Sequence, residues 1–70
     1  MAETLHIGRK ISKIRELRGM KQEALAALLG VSQQAISKIE QGDEVEDLAL
    51  EKIAHALGVT PEGIKKFSPI

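Results

Sequence analysis

Apolar residues recur along this chain at helical spacing, and glycines interrupt the pattern. Ile7, Ile11, Ile14 and Leu17 or Arg18 step at i, i+4, i+7 with basic residues between them. That spacing predicts a first helix from about His6 to Arg18, ended by Gly19. A second helix starts near Lys21 or Gln22 and carries Leu25, Leu28 and Leu29 on one side, with Ala24, Ala26 and Ala27 keeping it slim. Gly30 stops it, because glycine takes a positive φ at a tight turn without steric cost. Ser32 is a good N-cap for a third helix that buries Ala35, Ile36 and Ile39 and closes at Gly42. Asp47 can cap a fourth, where Leu50, Ile53, Ala54 and Leu57 repeat before Gly58. Thr60-Pro61 has the cap-then-proline order of a helix start, opening a short fifth helix with Ile64 and Phe67 facing inward. The pattern is all-α, a single domain over residues 1–70 with its core in about 6–67 and no repeat or linker.

Helices two and three form the informative unit. Small Ala26, four residues before Gly30, lets two helix axes approach closely, and Val31 can plug the corner between them. A turn of roughly 3 residues between two short helices describes a helix-turn-helix. An ordinary corner in a ligand-free bundle uses similar residues, so spacing alone leaves both readings open.

Composition narrows the setting. A chain of 70 residues sits near the lower size at which a core sustains a fold unaided. With no cysteine, disulfides and thiolate metal sites are excluded. "MAETLHIGRK" lacks the apolar stretch of a signal peptide, and no apolar run approaches the ~20 residues of a membrane span. A cytoplasmic, nucleoid-associated protein without a membrane partner is expected. The single aromatic residue, Phe67, argues against base stacking as a binding mode. His6 and His55 lack the companions of a metal triad, and no nucleophile–base pair or phosphate loop points to an enzyme or to a cofactor. The zero net charge hides an asymmetry. Residues 1–21 hold six Lys/Arg against Glu3 and Glu16, and residues 43–52 hold five acids against Lys52. One end attracts polyanions and another repels them.

The run "GMKQEALAALLGVSQQAISKIEQG", residues 19–42, resembles the helix-turn-helix of the phage-repressor and Cro-like (Xre-type) DNA-binding family. The matching features are Gln22 opening helix two, Leu25-Ala26, Gly30-Val31-Ser32 at the turn, and the Ile-Ser-Lys-Ile-Glu-Gln-Gly ending. "HIGRKISKIRELR" is similar to the family's first helix, and "LEKIAHALGVTPEGI" to its fourth and the start of its fifth. The resemblance implies a five-helix, lambda-repressor-like DNA-binding domain, without enzymatic activity, that binds double-stranded DNA and most often regulates transcription as a dimer.

With Ala35, Ile36 and Ile39 inward, helical geometry puts Gln33, Gln34, Ser37 and Lys38 on the outer face. A recognition helix reads bases from its N-terminal end, and a glutamine amide matches the adenine edge bidentately. The family carries base-reading side chains at the positions of Gln33, Gln34 and Lys38. Gln22 stands at a helix start, where free N–H groups favour a phosphate, and the family uses its equivalent to hold phosphate and brace the reading side chains. Ser32 and Lys21 flank the same surface. Lys21 replaces the Ser or Thr often found there, so helix two is expected to lack a side-chain cap. The resemblance also implies that Arg15 pairs with Glu40, tying the reading helix to its support.

After Gly42 the family often carries Lys or Arg with a proline, whereas this chain reads "DEVED". An acidic edge there weakens phosphate contacts. Besides a DNA-binding regulator, two readings stay open: an antitoxin-like regulator with a protein partner, and an interaction module whose acidic loop meets a basic protein. Two copies reading a roughly palindromic operator need reading helices about 34–36 Å apart. Ile64, Phe67 and Ile70 exceed what a short terminal helix buries alone, which predicts a homodimer through the C-terminal helix; the competing reading assigns Ile64 and Phe67 to the monomer core.

Overall fold

Ile11, Leu25, Ile36, Leu50, Ile53, Leu57 and Ile64 lose essentially all contact with water, and together they are drawn from every helix among the described residues. Each such burial contributes about 1.5–3 kcal/mol against an exposed side chain. The computed structural model describes residues 6–42 and 44–67. They form α1 (Ile7–Leu17), α2 (Gln22–Leu29), α3 (Gln33–Gln41), α4 (Asp47–Leu57) and α5 (Pro61–Lys66), with no strand among the described residues. This is the five-helix, all-α architecture that the apolar spacing predicts. α3 packs on α1 and α2, α4 packs on α2, and α5 closes against α1 and α4.

The turn between α2 and α3 follows from Gly30. Its φ of 71° ends α2 in the left-handed region. The bend lets the Val31 N–H donate to the Ala26 carbonyl at 3.0 Å, which satisfies a group the helix leaves unpaired. Ser32 then caps α3, its hydroxyl accepting from the Ala35 N–H at 3.1 Å. Thr60 does the same for α5 through Gly63 at 2.9 Å, with Pro61 opening that helix.

Several expectations need correction. Asp47 is the first residue of α4, and Glu46 precedes it at the cap position without a side-chain hydrogen bond. α2 turns Leu25, Ala26 and Leu29 inward, at i, i+1 and i+4, and this leaves Leu28 outside the buried stripe and exposed. Val31 does not plug the corner; it is 44% exposed and borders a shallow hollow beside Leu29 and Ile39. Ile64 is fully buried within its own domain and Phe67 is half-buried against it. Ile64 therefore offers nothing to a second copy, and Ile70 lies outside the described residues.

A close approach that the apolar pattern does not reveal sets the position of α3. The Gly8 N–H, in the first turn of α1, donates to the Gly42 carbonyl at 3.1 Å. A methyl group at Gly8 would overlap the carbonyl oxygens of Ile39, Glu40 and Gly42. Gly8→Ala is expected to destabilise the fold by about 1–3 kcal/mol through overpacking, despite the helix propensity that alanine adds. Gly30→Ala, which meets no neighbour, should cost about 1–2 kcal/mol through its left-handed backbone alone. Urea unfolding measures both, and a stabilised Gly8→Ala protein would contradict the α1–α3 approach.

Candidate nucleic-acid interface

The exposed start of α3, the start of α2 and the turn between them make one surface. Gln33, Gln34 and Lys38 are exposed on it, with Lys21 and Ser32 alongside. Ser37 is half-buried and accepts from the Gln41 side-chain amide at 3.2 Å, so its hydroxyl is partly committed within α3. Lys21 occupies the cap position of α2 without a side-chain cap bond. The first N–H groups of α2 are thus left to water or a ligand.

Behind this surface lies a chain of polar contacts that begins in the protein's interior. Arg15 is buried on α1, and its Nε donates to Glu40 Oε2 at 2.7 Å while Nη2 donates to Glu40 Oε1 at 3.3 Å. The Glu40 side chain is itself only 6% exposed. Arg15 Nη1 donates to the Met20 carbonyl at 2.6 Å, which holds the α1–α2 connection to the same guanidinium. Glu40 Oε1 also accepts from Gln22 Nε2 at 2.9 Å, and Gln22 Oε1 accepts from Gln33 Nε2 at 3.3 Å. Four side chains from α1, α3 and α2 therefore connect in sequence, and the last of them stands in solvent.

The order of donors and acceptors is dictated from the buried end. An ionised carboxylate only accepts, so Gln22 must turn its amide nitrogen toward Glu40. Its oxygen then faces Gln33, which must answer with nitrogen. Gln33 is left with a free carbonyl oxygen and one free N–H. Gln34 makes no side-chain hydrogen bond among the described residues and keeps its full amide.

The basic end of the sequence is less available than its charge count suggests. Lys10 is buried on α1 and its Nζ donates to the Lys65 carbonyl, closing α5. Arg15 is spent on Glu40 and Met20, whereas Arg18 is exposed with its guanidinium beside Gly58 at the end of α4. Arg9, Lys13, Lys21 and Lys38 remain exposed. Glu44, Glu46 and Asp47 are exposed as well; Asp43 of the acidic loop lies outside the described residues. No group of three potential metal ligands occurs among the described residues, and no helix there is long and apolar enough to cross a membrane.

Sequence reasoning named every member of the polar chain. It missed the Met20 carbonyl, which no side-chain pattern reports, and Gly8, whose signal was a glycine inside an otherwise well-formed helix.

The match to known families decides the wider reading: residues 11–64 fit the helix-turn-helix family model. The chain belongs to the Cro/repressor-like helix-turn-helix family. Solved structures of similar fold agree. The restriction-modification controller protein C.AhdI from Aeromonas hydrophila has 28% identity and a TM-score of 0.77, the match covering 91% of this chain and 98% of that one. The DNA-binding domain of the P22 C2 repressor has 31% identity and a TM-score of 0.79, covering 90% and 84%. The Fe(II) form of HppE has 30% identity and a TM-score of 0.78 over 91% of this chain, which spans only 34% of HppE. No curated protein matches the sequence.

In this helix-turn-helix protein the ion pair is expected to couple two helices. A double-mutant cycle on Arg15→Ala and Glu40→Ala should give an interaction energy on the order of 0.5–3 kcal/mol in unfolding experiments. Additive losses would mean that the two side chains act independently.

Proposed function

We propose that this chain binds double-stranded DNA sequence-specifically, laying α3 in the major groove, and that it regulates transcription. The observation that carries the reading is the polar chain from Arg15 through Glu40 and Gln22 to Gln33. A buried charge that orders two amides and ends on an exposed one is a costly arrangement for a helix corner without a ligand. It makes sense where one side chain must present a defined hydrogen-bond face. Membership of the family, and the likeness to a repressor DNA-binding domain and a controller protein, support the same reading.

The geometry supports a role for each residue. Gln33 keeps an oxygen and one N–H free, the pair that an adenine edge meets through N6–H and N7. A guanine edge offers two acceptors there and suits this amide poorly. Gln34 is the second base reader, and Lys38, further along α3, reaches a guanine or the backbone. Gln22 retains one amide N–H for a phosphate, beside the uncapped N–H groups of α2. Ser32 uses its oxygen as the cap and keeps its O–H to donate to a phosphate, while Lys21 contributes charge and Ser37 packs along the groove side. The function is recognition and not catalysis.

A single reading helix buries too little surface for regulatory affinity, so two copies on a roughly palindromic operator complete the proposal. The C-terminal region supplies the contact with a smaller apolar surface than the sequence suggested. Phe67, half-buried, and Leu17, 66% exposed, border one shallow hollow between α1 and α5. The acidic loop opposes phosphate binding at the edge of the site.

Gln33→Ala or Gln34→Ala should cost about 1–3 kcal/mol on a site selected from random duplex DNA and little on unselected DNA. Equal losses on both would remove base reading from these residues. Changing Asp43 and Glu44 to Lys should tighten binding to both DNAs and steepen its salt dependence; unchanged affinity at low salt would place the loop away from the backbone.

A further inference from the structure

The carboxylate of Glu40 lies beneath the surface of α3, yet its chemistry reaches that surface. Its side chain is 6% exposed, and both oxygens are engaged inside the domain. Oε2 accepts from Arg15 Nε at 2.7 Å, and Oε1 accepts from Gln22 Nε2 at 2.9 Å. One amide, Gln22, separates this carboxylate from the amide of the exposed Gln33. An amide is a reversible link: turned over, it exchanges its donor and acceptor ends without changing shape. The sense in which both amides lie is therefore set by the group at the buried end.

With an acceptor at that end, Gln33 presents an oxygen and one N–H outward. With a donor there, the whole relay turns over. Gln22 would offer its oxygen inward and its nitrogen to Gln33. The Gln33 oxygen would be taken up, and both of its N–H groups would face outward. The first face matches adenine, which has a donor at N6 beside an acceptor at N7. The second matches guanine, with acceptors at O6 and N7. We propose that Glu40 is a specificity-determining positioning residue, whose carboxylate selects adenine over guanine at the base that Gln33 faces. This role rests on α3 being the base-reading helix, and it names what sets the choice of purine.

Glu40→Gln is the change that reverses the relay. The introduced oxygen takes the place 2.7 Å from Arg15 Nε, because a nitrogen there would set donor against donor. The introduced nitrogen then takes the place 2.9 Å from Gln22. Gln22 keeps one N–H for a phosphate in either sense, so that contact survives the reversal. A residue that only held the helices together would weaken binding to both purines alike.

The test titrates the full chain and its variants with a duplex selected from random DNA, each base pair being exchanged in turn. The pair at which Gln33→Ala erases a purine preference is the one that Gln33 faces. There the parent should favour adenine over guanine by about tenfold, and Glu40→Gln should reverse the order. That variant leaves the buried Arg15 without its partner, which is destabilising. Gln22→Met therefore serves as a second variant, cutting the relay while keeping the Arg15–Glu40 pair. It frees Gln33 to turn either way and should bring the two purines to within about threefold of each other. Urea unfolding verifies that each variant is folded; if Glu40→Gln is not, Gln22→Met decides alone. If Gln33→Ala erases no preference anywhere, base reading itself fails and the role of Glu40 falls with it. If Gln33→Ala erases a preference that either folded relay variant retains at the parent ratio, base reading stands and the role of Glu40 is overturned. A parent that favours guanine at that pair overturns it equally.

Discussion

The pairing of Arg15 with Glu40 is the contact on which the arrangement of the candidate site depends. A guanidinium taken out of water needs its charge matched and its donors met, and here the Glu40 carboxylate and the Met20 carbonyl together engage Nε, Nη1 and Nη2. The carboxylate comes from the end of α3 and the carbonyl from the connection into α2. A single buried cation on α1 thus holds both halves of the helix-turn-helix in register. The pair adds little net stability once desolvation is counted, but it admits few alternative geometries. Specificity of arrangement, more than stability, is its contribution.

From that pair, polarity passes outward. Each amide in the chain can be flipped at almost no steric cost, so packing alone does not orient it. The acceptor-only carboxylate breaks the degeneracy, and the effect reaches a residue in solvent. Gln33 is therefore more restricted than its exposure implies, whereas Gln34, its neighbour, has no such tether.

The sequence was legible where a residue's role is local. Helix spacing, the Ser32 and Thr60 caps and the Gly30 bend depend on neighbours within a turn, and all can be read from the chain. Roles set by the third dimension were harder to see. Leu28 matches the apolar repeat as well as Leu25 does, yet α2 is covered on one narrow stripe and Leu28 falls outside it. Ile64 sits on a helix too short to show a face, so its burial under α1 and α4 could not be told from surplus. Lys10 counted as surface charge until its ammonium was found against the end of α5. Among the candidate site residues, the polar chain was legible through family resemblance, because residues 15, 22, 33 and 40 share no local pattern that would join them.

The approach of Gly8 to Gly42 has a mechanical consequence. α3 is clamped at its C-terminal end, where the Gly42 carbonyl and the Glu40 side chain are both held by α1. Its opposite end, beyond the buried Ile36, carries a local cap and one tethered glutamine. The helix is a beam held at its C-terminal end by α1 and resting on α2. At about 1.5 Å per residue, nine residues give a lever of roughly 13 Å. A rotation of about 5° at the clamp would then displace the tip by about 1 Å, more than the distance tolerance of a hydrogen bond. Small substitutions at the α1–α3 contact, remote from the exposed glutamines, are thereby able to re-aim them without altering a single residue on the surface they share.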